Sequence, residues 1–273
     1  MAALLLLLLR AALLSCLAVA PALARGTHRL FDIHSGGPLS AADFPGRADL
    51  ATSRHRDPAP FNTAAILGLV RAANVTTDSV REAFYAAKIV PDVLPAFDPA
   101  LLVGVNFTNP ELANSSVLVE PGAVLTRDQT KFLPSFFISN HTAEDAAQTY
   151  IVVQVDPDAH TPQNPDVAQV RHLLAGNFTA DGDVAGDPLL LANSSAAISE
   201  WRRPSPPAGS DPHRYVILLY PQPANFTASS VAHLVNASSS ATLFNINDFA
   251  EATGLGLPVA GTYFLTGPDA ESE

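Results

Sequence analysis

Two nearly uninterrupted runs of apolar and aromatic residues constrain the fold of this chain more than any other feature of its sequence. They are residues 150–155 (YIVVQV) and residues 215–220 (YVILLY). A strand with one solvent-exposed face alternates apolar and polar side chains, so continuous apolar runs are typical of strands covered on both faces. We therefore predict that these two strands lie at the centre of a sheet.

The rest of the chain after Pro91 consists of short β-rich runs separated by Pro, Gly, Asn and Asp. Strands are predicted for residues 101–107, 116–120 and 135–139. Helical patterns are scarcer. Helices are predicted for residues 64–73, for residues 79–88 behind an S-x-x-E capping box of Ser79 and Glu82, and for residues 247–253 ending at Gly254. The pattern predicts a β-rich fold with few helices.

The N-terminal segment, residues 1–24, has the pattern of a secretory signal peptide. Arg10 interrupts its apolar stretch, and Ala22-Leu23-Ala24 fits an A-x-A cleavage site. A membrane anchor would require about 20 uninterrupted apolar residues, so cleavage is favoured and no transmembrane anchor is predicted. The only cysteine, Cys16, would be removed with the signal, leaving no disulfide. We expect the protein to be extracellular or in the lumen of the secretory pathway or vacuole.

Asn-x-Ser/Thr sequons support this location, because N-glycans are added in the secretory pathway. The chain has eight of them. Seven are predicted to be glycosylation sites: Asn74, Asn106, Asn114, Asn140, Asn193, Asn225 and Asn236.

Composition excludes one class of partner and suggests how the chain is divided. The 273 residues contain 26 acidic and 15 basic side chains, a formal net charge of -11. Nucleic acids and anionic membranes require a basic face, so no nucleic-acid partner is predicted. We expect a signal peptide (1–24), an N-terminal extension with two short helices (25–89), a main domain (90–266) and a disordered polar tail (267–273).

Three polar segments are candidates for a functional site. Asp156 and Asp158 follow the first central strand, a histidine at 172 precedes another apolar run, and a Pro-rich loop leads into His213. A plain turn remains the alternative for the Asp-Pro-Asp segment. Motif searches find no nucleophile elbow, phosphate-binding loop, HExxH or cysteine-based zinc spacing. We predict no metal and no cofactor, although a weak Asp-His metal site stays open.

In their order along the chain, several segments together resemble the phosphatidylethanolamine-binding protein family, particularly its secreted fungal-type members. The segments are residues 91–95 (PDVLP), 156–159 (DPDA), 172–177 (HLLAGN), 206–209 (PPAG), 213–215 (HRY) and 244–264. The resemblance implies a large, mostly antiparallel central sheet with a smaller flanking sheet and few helices. It also implies a small surface cavity that binds anions, such as the phosphate of a phospholipid head group, without turnover.

The resemblance assigns seven residues to this cavity. They are Asp156, Asp158, His172, Pro206, Gly209, His213 and Tyr215. Imidazole and hydroxyl groups would hold the anion, and the two carboxylates would orient the imidazoles and the loop. Since free histidine titrates near pH 6.5, we expect binding to strengthen as pH falls from about 8 to about 5. Asn177 would lie inside a core strand, so its sequon is predicted to be unused.

Two other functions remain open. Some fungal relatives resemble serine carboxypeptidase inhibitors, so this chain could be such an inhibitor or another protein-interaction module. A hydrolase using His172 or His213 as general base is disfavoured, because no activated Ser or Cys is predicted beside them. The family also commonly has Pro where this chain has His160, which would place a titrating group at the cavity rim.

Overall fold

The computed structural model describes residues 75–112, 116–182 and 187–269. The nine strands of this part of the chain form a single sheet. The strands are β1 (Leu102–Thr108), β2 (Ser116–Leu118), β3 (Ala123–Val124), β4 (Ser135–Ser139), β5 (Thr149–Asp156), β6 (Val170–Asp181), β7 (Leu189–Asn193), β8 (His213–Pro221) and β9 (Ala260–Thr266). Their order across the sheet is β2-β1-β4-β7-β6-β5-β8-β9-β3. All neighbours are antiparallel except β3 and β9, which are parallel.

Few helices accompany the sheet. Those described are α1 (Thr77–Ala86), α2 (Ile89–Asp92), α3 (Ala143–Ala147) and α4 (Ile246–Thr253). The β-rich fold class is confirmed. The expected smaller sheet is continuous with the central one, because β7 pairs with β4 on one side and with β6 on the other.

The two continuous apolar runs are the central strands β5 and β8, which are direct neighbours. Their side chains alternate between two apolar clusters, one on each face of the sheet. On β8, Val216 and Leu218 belong to one cluster, and Tyr215 and Ile217 belong to the other. Both faces are therefore covered, which is why neither strand carries the alternating polar pattern.

The second predicted helix is α1, but it begins earlier than the sequence suggested. Its capping box is formed by Thr76 and Ser79: the Thr76 hydroxyl accepts from the Ser79 N–H at 3.1 Å, and the Ser79 hydroxyl accepts from the Thr76 N–H at 2.9 Å. The prediction of Ser79 as the cap was therefore wrong by one turn, since the threonine satisfies the first free amides.

Helix α1 packs inside the main domain. Phe84 is fully buried and stacks on Phe97 with 4.1 Å between ring centroids. A boundary at residue 90 therefore does not separate two packing units, because this part of the extension contributes to the core. The predicted signal peptide and the predicted helix at 64–73 lie outside the described residues.

The third predicted helix is confirmed as α4. The Asn245 side chain caps its start, accepting from the N–H groups of Asn247 and Asp248, and Gly254 ends it with a φ of 71°. The chain continues through β9 to Asp269, which forms an ion pair with Arg127 at 3.1 Å. Among the described helices, none has both the length and the apolar character needed to cross a membrane.

The described sequons differ in exposure. Asn140, Asn193, Asn225 and Asn236 are exposed. Asn106 is 4% exposed in β1, and its side chain bonds Thr108 and Ser116, so the structure disfavours the predicted glycan there. Asn177 is half-buried in β6 and bonds Gln222, which fits an unused sequon. Asn74 and Asn114 lie outside the described residues.

Candidate ligand-binding site

Four of the predicted site residues meet at one end of the three central strands. Asp156 ends β5, His172 lies near the start of β6, and His213 and Tyr215 lie at the start of β8. Because β5 pairs antiparallel with both β6 and β8, its last residue lies beside their first residues. All four residues are at most 6% exposed.

The Asp156 carboxylate organises this cluster. Its Oδ2 lies 2.9 Å from His213 Nδ1 and 3.9 Å from His172 Nε2, and its Oδ1 accepts from the Asp158 N–H at 2.8 Å. One carboxylate thus orients an imidazole and shapes the turn that follows β5. This is the role expected for Asp156.

In its neutral form, His172 carries its proton on Nδ1. That nitrogen donates to the Arg202 carbonyl oxygen at 2.7 Å, which leaves Nε2 without a proton and facing Asp156. Burial lowers the pKa of His172 below its ordinary value, although the Arg202 carbonyl and the charge of Asp156 oppose this effect. Nε2 becomes a donor only when the ring takes up a proton.

Tyr215 is the aromatic centre of the cluster. Its ring meets His172 edge to face at 5.1 Å and stacks on Phe264 at 5.3 Å. Burial and the negative charge of Asp156 raise the pKa of Tyr215 far above its ordinary value, so its hydroxyl stays protonated. The hydroxyl therefore remains a hydrogen-bond donor at any physiological pH.

Asp158 occupies a different position from the one expected. Its carboxylate accepts from the Arg214 N–H at 2.7 Å and from the Arg214 guanidinium at 2.7 Å and 3.0 Å. Arg214 also bonds Asp92 and the Ala87 carbonyl. Asp158 therefore fixes the turn after β5 to Arg214 of β8, which itself bonds the segment after α1, rather than orienting an imidazole.

The Pro-rich loop reaches the cluster through the residues at its two ends, Ser205 and Ser210, and the two predicted loop residues differ in exposure. Pro206 is buried, whereas Gly209 is exposed with a φ of 76°, a conformation that favours glycine. Behind it, Ser210 Oγ lies 3.0 Å from His213 Nε2. His160 is exposed and bonds Asp166 at 2.6 Å, so its ring interacts with its own loop.

The sequence predicted no activated serine beside these histidines, and the structure places Ser210 in a Ser210–His213–Asp156 chain of contacts. The order of contacts is that of a catalytic triad. However, Ser210 is 8% exposed and its hydroxyl also bonds the Asp211 carbonyl at 2.8 Å, while its own N–H bonds Pro207. These contacts fit a serine that orients the ring and the loop.

Arg127 is a part of the site that the sequence did not indicate. Its guanidinium bonds Ser205 Oγ at 3.1 Å, the Ser205 amide bonds the Tyr215 hydroxyl, and the Arg127 charge acts on that hydroxyl. Arg127 Nε is buried and has no hydrogen-bond partner among the described residues. Residue 127 lies in a polar turn far from the other site residues in sequence, so no local pattern marked it.

The cluster offers donors for an anion rather than ligands for a metal. Within the described residues, no group of three or more His, Cys, Asp and Glu side chains is arranged to hold a metal ion. The available donors are Arg127 Nε and, once protonated, His172 Nε2, whereas the Tyr215 hydroxyl bonds the Asp156 carboxylate and would have to exchange that bond for one to a ligand.

Comparison with known proteins places these observations in a family context. A family model described as phosphatidylethanolamine-binding protein matches residues 115–264. The protein TWIN SISTER of FT of Arabidopsis thaliana is 30% identical over 187 residues, which cover 68% of this chain and 91% of that protein. FLOWERING LOCUS T of the same plant is 28% identical over 187 residues, with the same two coverages.

Solved structures share the fold at lower identity. A carboxypeptidase Y inhibitor, solved in complex with its cognate proteinase, superposes with a TM-score of 0.60 at 20% identity, covering 73% of this chain and all of that one. A phosphatidylethanolamine-binding protein from Plasmodium vivax superposes with a TM-score of 0.51 at 17% identity, covering 70% and 98%. Both likenesses concern the fold.

Proposed function

This chain belongs to the phosphatidylethanolamine-binding protein family, and from that premise we propose that it binds a small anionic group at the cluster of Asp156, His172, His213 and Tyr215. The phosphate of a phospholipid head group is the expected ligand. The observation that carries the proposal is the meeting of these four side chains beside Arg127, whose Nε has no hydrogen-bond partner in the described part of the chain. Binding occurs without turnover.

Protonation of His172 links this binding to pH. A buried neutral imidazole gives an anion no donor at Nε2, whereas the imidazolium gives both a donor and a positive charge. An incoming anion therefore favours proton uptake at His172. Because burial lowers the pKa of this ring, tight binding requires a pH below that at which free histidine titrates, about 6.5.

Calorimetry with inorganic phosphate and with phosphoethanolamine tests the proposal. We expect affinity to rise between about pH 8 and about pH 5, and to fall about tenfold or more in His213→Ala, which removes the ring that Asp156 orients. His233→Ala, which changes an exposed histidine, is the matched control. Equal affinities across pH and across the variants would refute the assignment.

Inhibition of a serine carboxypeptidase is the second candidate function. The likeness to a carboxypeptidase Y inhibitor over that protein's whole length favours it. A serine carboxypeptidase is assayed with the full chain and with a variant lacking residues 25–74, which leaves α1 and its buried Phe84 in place. Inhibition that is lost with this segment assigns the contact to the extension, and unchanged peptidase activity excludes the candidate.

The Ser210–His213–Asp156 chain makes a hydrolase testable as a third function. A fluorophosphonate reagent that labels the native protein but not Ser210→Ala would establish an activated serine. We expect no labelling, because the hydroxyl is buried and bonds Asp211.

Secretion and glycosylation belong to the same proposal. The signal-like residues 1–24 and the exposed sequons support them. Expression in a secreting eukaryotic host should release protein whose mass falls on enzymatic deglycosylation. Peptide mapping should find glycans at exposed asparagines such as Asn140 and Asn225, and none at the buried Asn106. Retention of the full chain inside the cell would contradict secretion.

A further inference from the structure

A second polar pocket lies beside the start of β6, on the opposite face of the strand from the histidine cluster. Arg171 packs over the Phe244 ring, whereas its neighbour His172 packs against Tyr215. The pocket has a volume of about 290 Å³. Its lining includes Arg171, Ser199, Glu200, Trp201, Arg202 and Ser239.

Arg171 is a buried cation whose bonded partners are neutral. It is 2% exposed, its Nε donates to Ser199 Oγ at 2.6 Å, and its Nη2 donates to the Ser240 carbonyl at 3.2 Å. Within the described part of the chain it forms no ion pair with a carboxylate. A buried charge without a counter-charge is unfavourable, and neutral acceptors compensate it only in part.

Arg202 adds a second positive charge to the same pocket. Burial lowers the pKa of Arg171, and repulsion from Arg202 lowers it further. Glu200 also lines the pocket, but its side chain is exposed and pairs with neither arginine in the part of the chain described. Two arginines therefore share one pocket, and neither pairs with a carboxylate among the described residues, in a protein whose net charge is -11.

We infer that this pocket binds a tetrahedral oxyanion, phosphate or sulfate, either free or as a monoester. Arg171 Nη1 has no hydrogen-bond partner among residues 75–112, 116–182 and 187–269, so it is free to donate. The Ser199 hydroxyl accepts from Arg171 and keeps its own hydrogen for a ligand. The anion supplies the missing counter-charge and accepts charge-assisted bonds from both guanidinium groups.

Trp201 allows the site to be observed directly, because it lines the pocket and is the only tryptophan in the chain. The full chain is titrated with sodium sulfate and with inorganic phosphate, against sodium chloride at matched ionic strength. We expect a saturable change in tryptophan fluorescence with the oxyanions only. Arg202→Ala and Arg171→Met should weaken it about tenfold or more, since each removes charge-assisted bonds.

Two controls separate this site from other effects. Arg203→Ala removes the adjacent exposed arginine, which is absent from the pocket lining, and should leave the titration unchanged. The titration repeated in a His213→Ala background, with and without Arg202→Ala, separates the two sites, because a change that still depends on Arg202 belongs to this pocket whatever the histidine cluster binds. Phosphoethanolamine, compared with inorganic phosphate, distinguishes a monoester head group from the free ion.

The inference is overturned if chloride produces the same change as sulfate, or if the wild type and Arg202→Ala titrate identically. Arg202 is exposed, so its replacement tests the site even if Arg171→Met does not fold.

Discussion

At the scale of single residues, two adjacent histidines in space have different tasks. His213 is bonded through both ring nitrogens, to Asp156 and to Ser210, whereas His172 is bonded through Nδ1 and its Nε2 faces Asp156 at 3.9 Å with no hydrogen bond among the described residues. His213 is therefore part of the frame, and His172 is the ring whose charge can change when a ligand enters.

This difference predicts how stability depends on pH. Because the pKa of His172 is lowered in the folded state, the unfolded chain binds more protons below about pH 6.5, and stability is lost as pH falls. His172→Asn keeps a donor near the Arg202 carbonyl but cannot titrate. Urea unfolding between about pH 7.5 and about pH 5 should show a steeper loss in wild type than in His172→Asn. Parallel curves would contradict the prediction.

The two carboxylates of the DPDA segment are also distinguishable. Asp158→Asn removes one of the two carboxylates that pair with Arg214, whose side chain is 18% exposed, and should lower the free energy of unfolding by about 1.5 to 3 kcal/mol. Asp156→Asn should instead reduce phosphate affinity, because it releases His213. Calorimetry and urea unfolding of both variants check this division of roles. A larger loss of affinity in Asp158→Asn than in Asp156→Asn would contradict it.

The sequence indicated the site residues that belong to recognisable motifs, and it did not indicate Arg127 and Ser210, which belong to none. The strands align Asp156, His172 and His213 because their positions follow from pairing, which apolar runs and the family resemblance indicate. Arg127 and Ser210 join through loops whose paths depend on tertiary packing, and no local spacing encodes such contacts. The ion pair of Asp158 with Arg214 was missed for a related reason. The alternation of side chains along β8 shows which face Arg214 lies on, but not which carboxylate it pairs with.

At the scale of elements, helix α1 shows which of its features follow from local sequence and which depend on tertiary packing. Its spacing of Val80 and Phe84 predicted one buried face, which is confirmed. Its start was misplaced because two overlapping polar patterns, at Thr76 and at Ser79, both resemble caps. The short strands β3 and β7 and helix α3 were not predicted, since two to five residues carry too weak a periodicity.

The role of α1 in the core is testable by two substitutions. Thr76→Ala removes the cap and should cost about 1 kcal/mol of stability. Phe84→Ala leaves a cavity against Phe97 and should cost about 3 to 5 kcal/mol. Tyr85→Ala, at an exposed position of the same helix, is the control and should have little effect. Urea unfolding of the three variants measures this, and a Phe84→Ala cost as small as the control's would show that α1 is peripheral.

At the scale of the whole molecule, the continuity of the sheet links the binding sites to the core. Strand β6 contributes to both apolar clusters and to both proposed anion pockets, because Leu174 and Leu173 face opposite sides and Arg171 and His172 do likewise. The net charge of -11 does not prevent anion binding, since local guanidinium and hydroxyl donors act at contact distance whereas distant carboxylates are screened.

Continuity of the sheet also predicts cooperative unfolding. The two apolar clusters lie on opposite faces of β5, β6 and β8. Because these strands carry both clusters, unfolding that exposes one cluster to water also exposes the other. Urea unfolding can be followed by the fluorescence of Trp201, which reports its local surroundings, and by far-ultraviolet circular dichroism, which reports the whole sheet. The two transitions should coincide. A destabilising change in β4, Ile138→Ala at a fully buried position, should lower the free energy of unfolding reported by both probes by about 2 to 5 kcal/mol. Separate midpoints for the two probes would mean that β1, β2 and β4 unfold independently, as a distinct smaller sheet would.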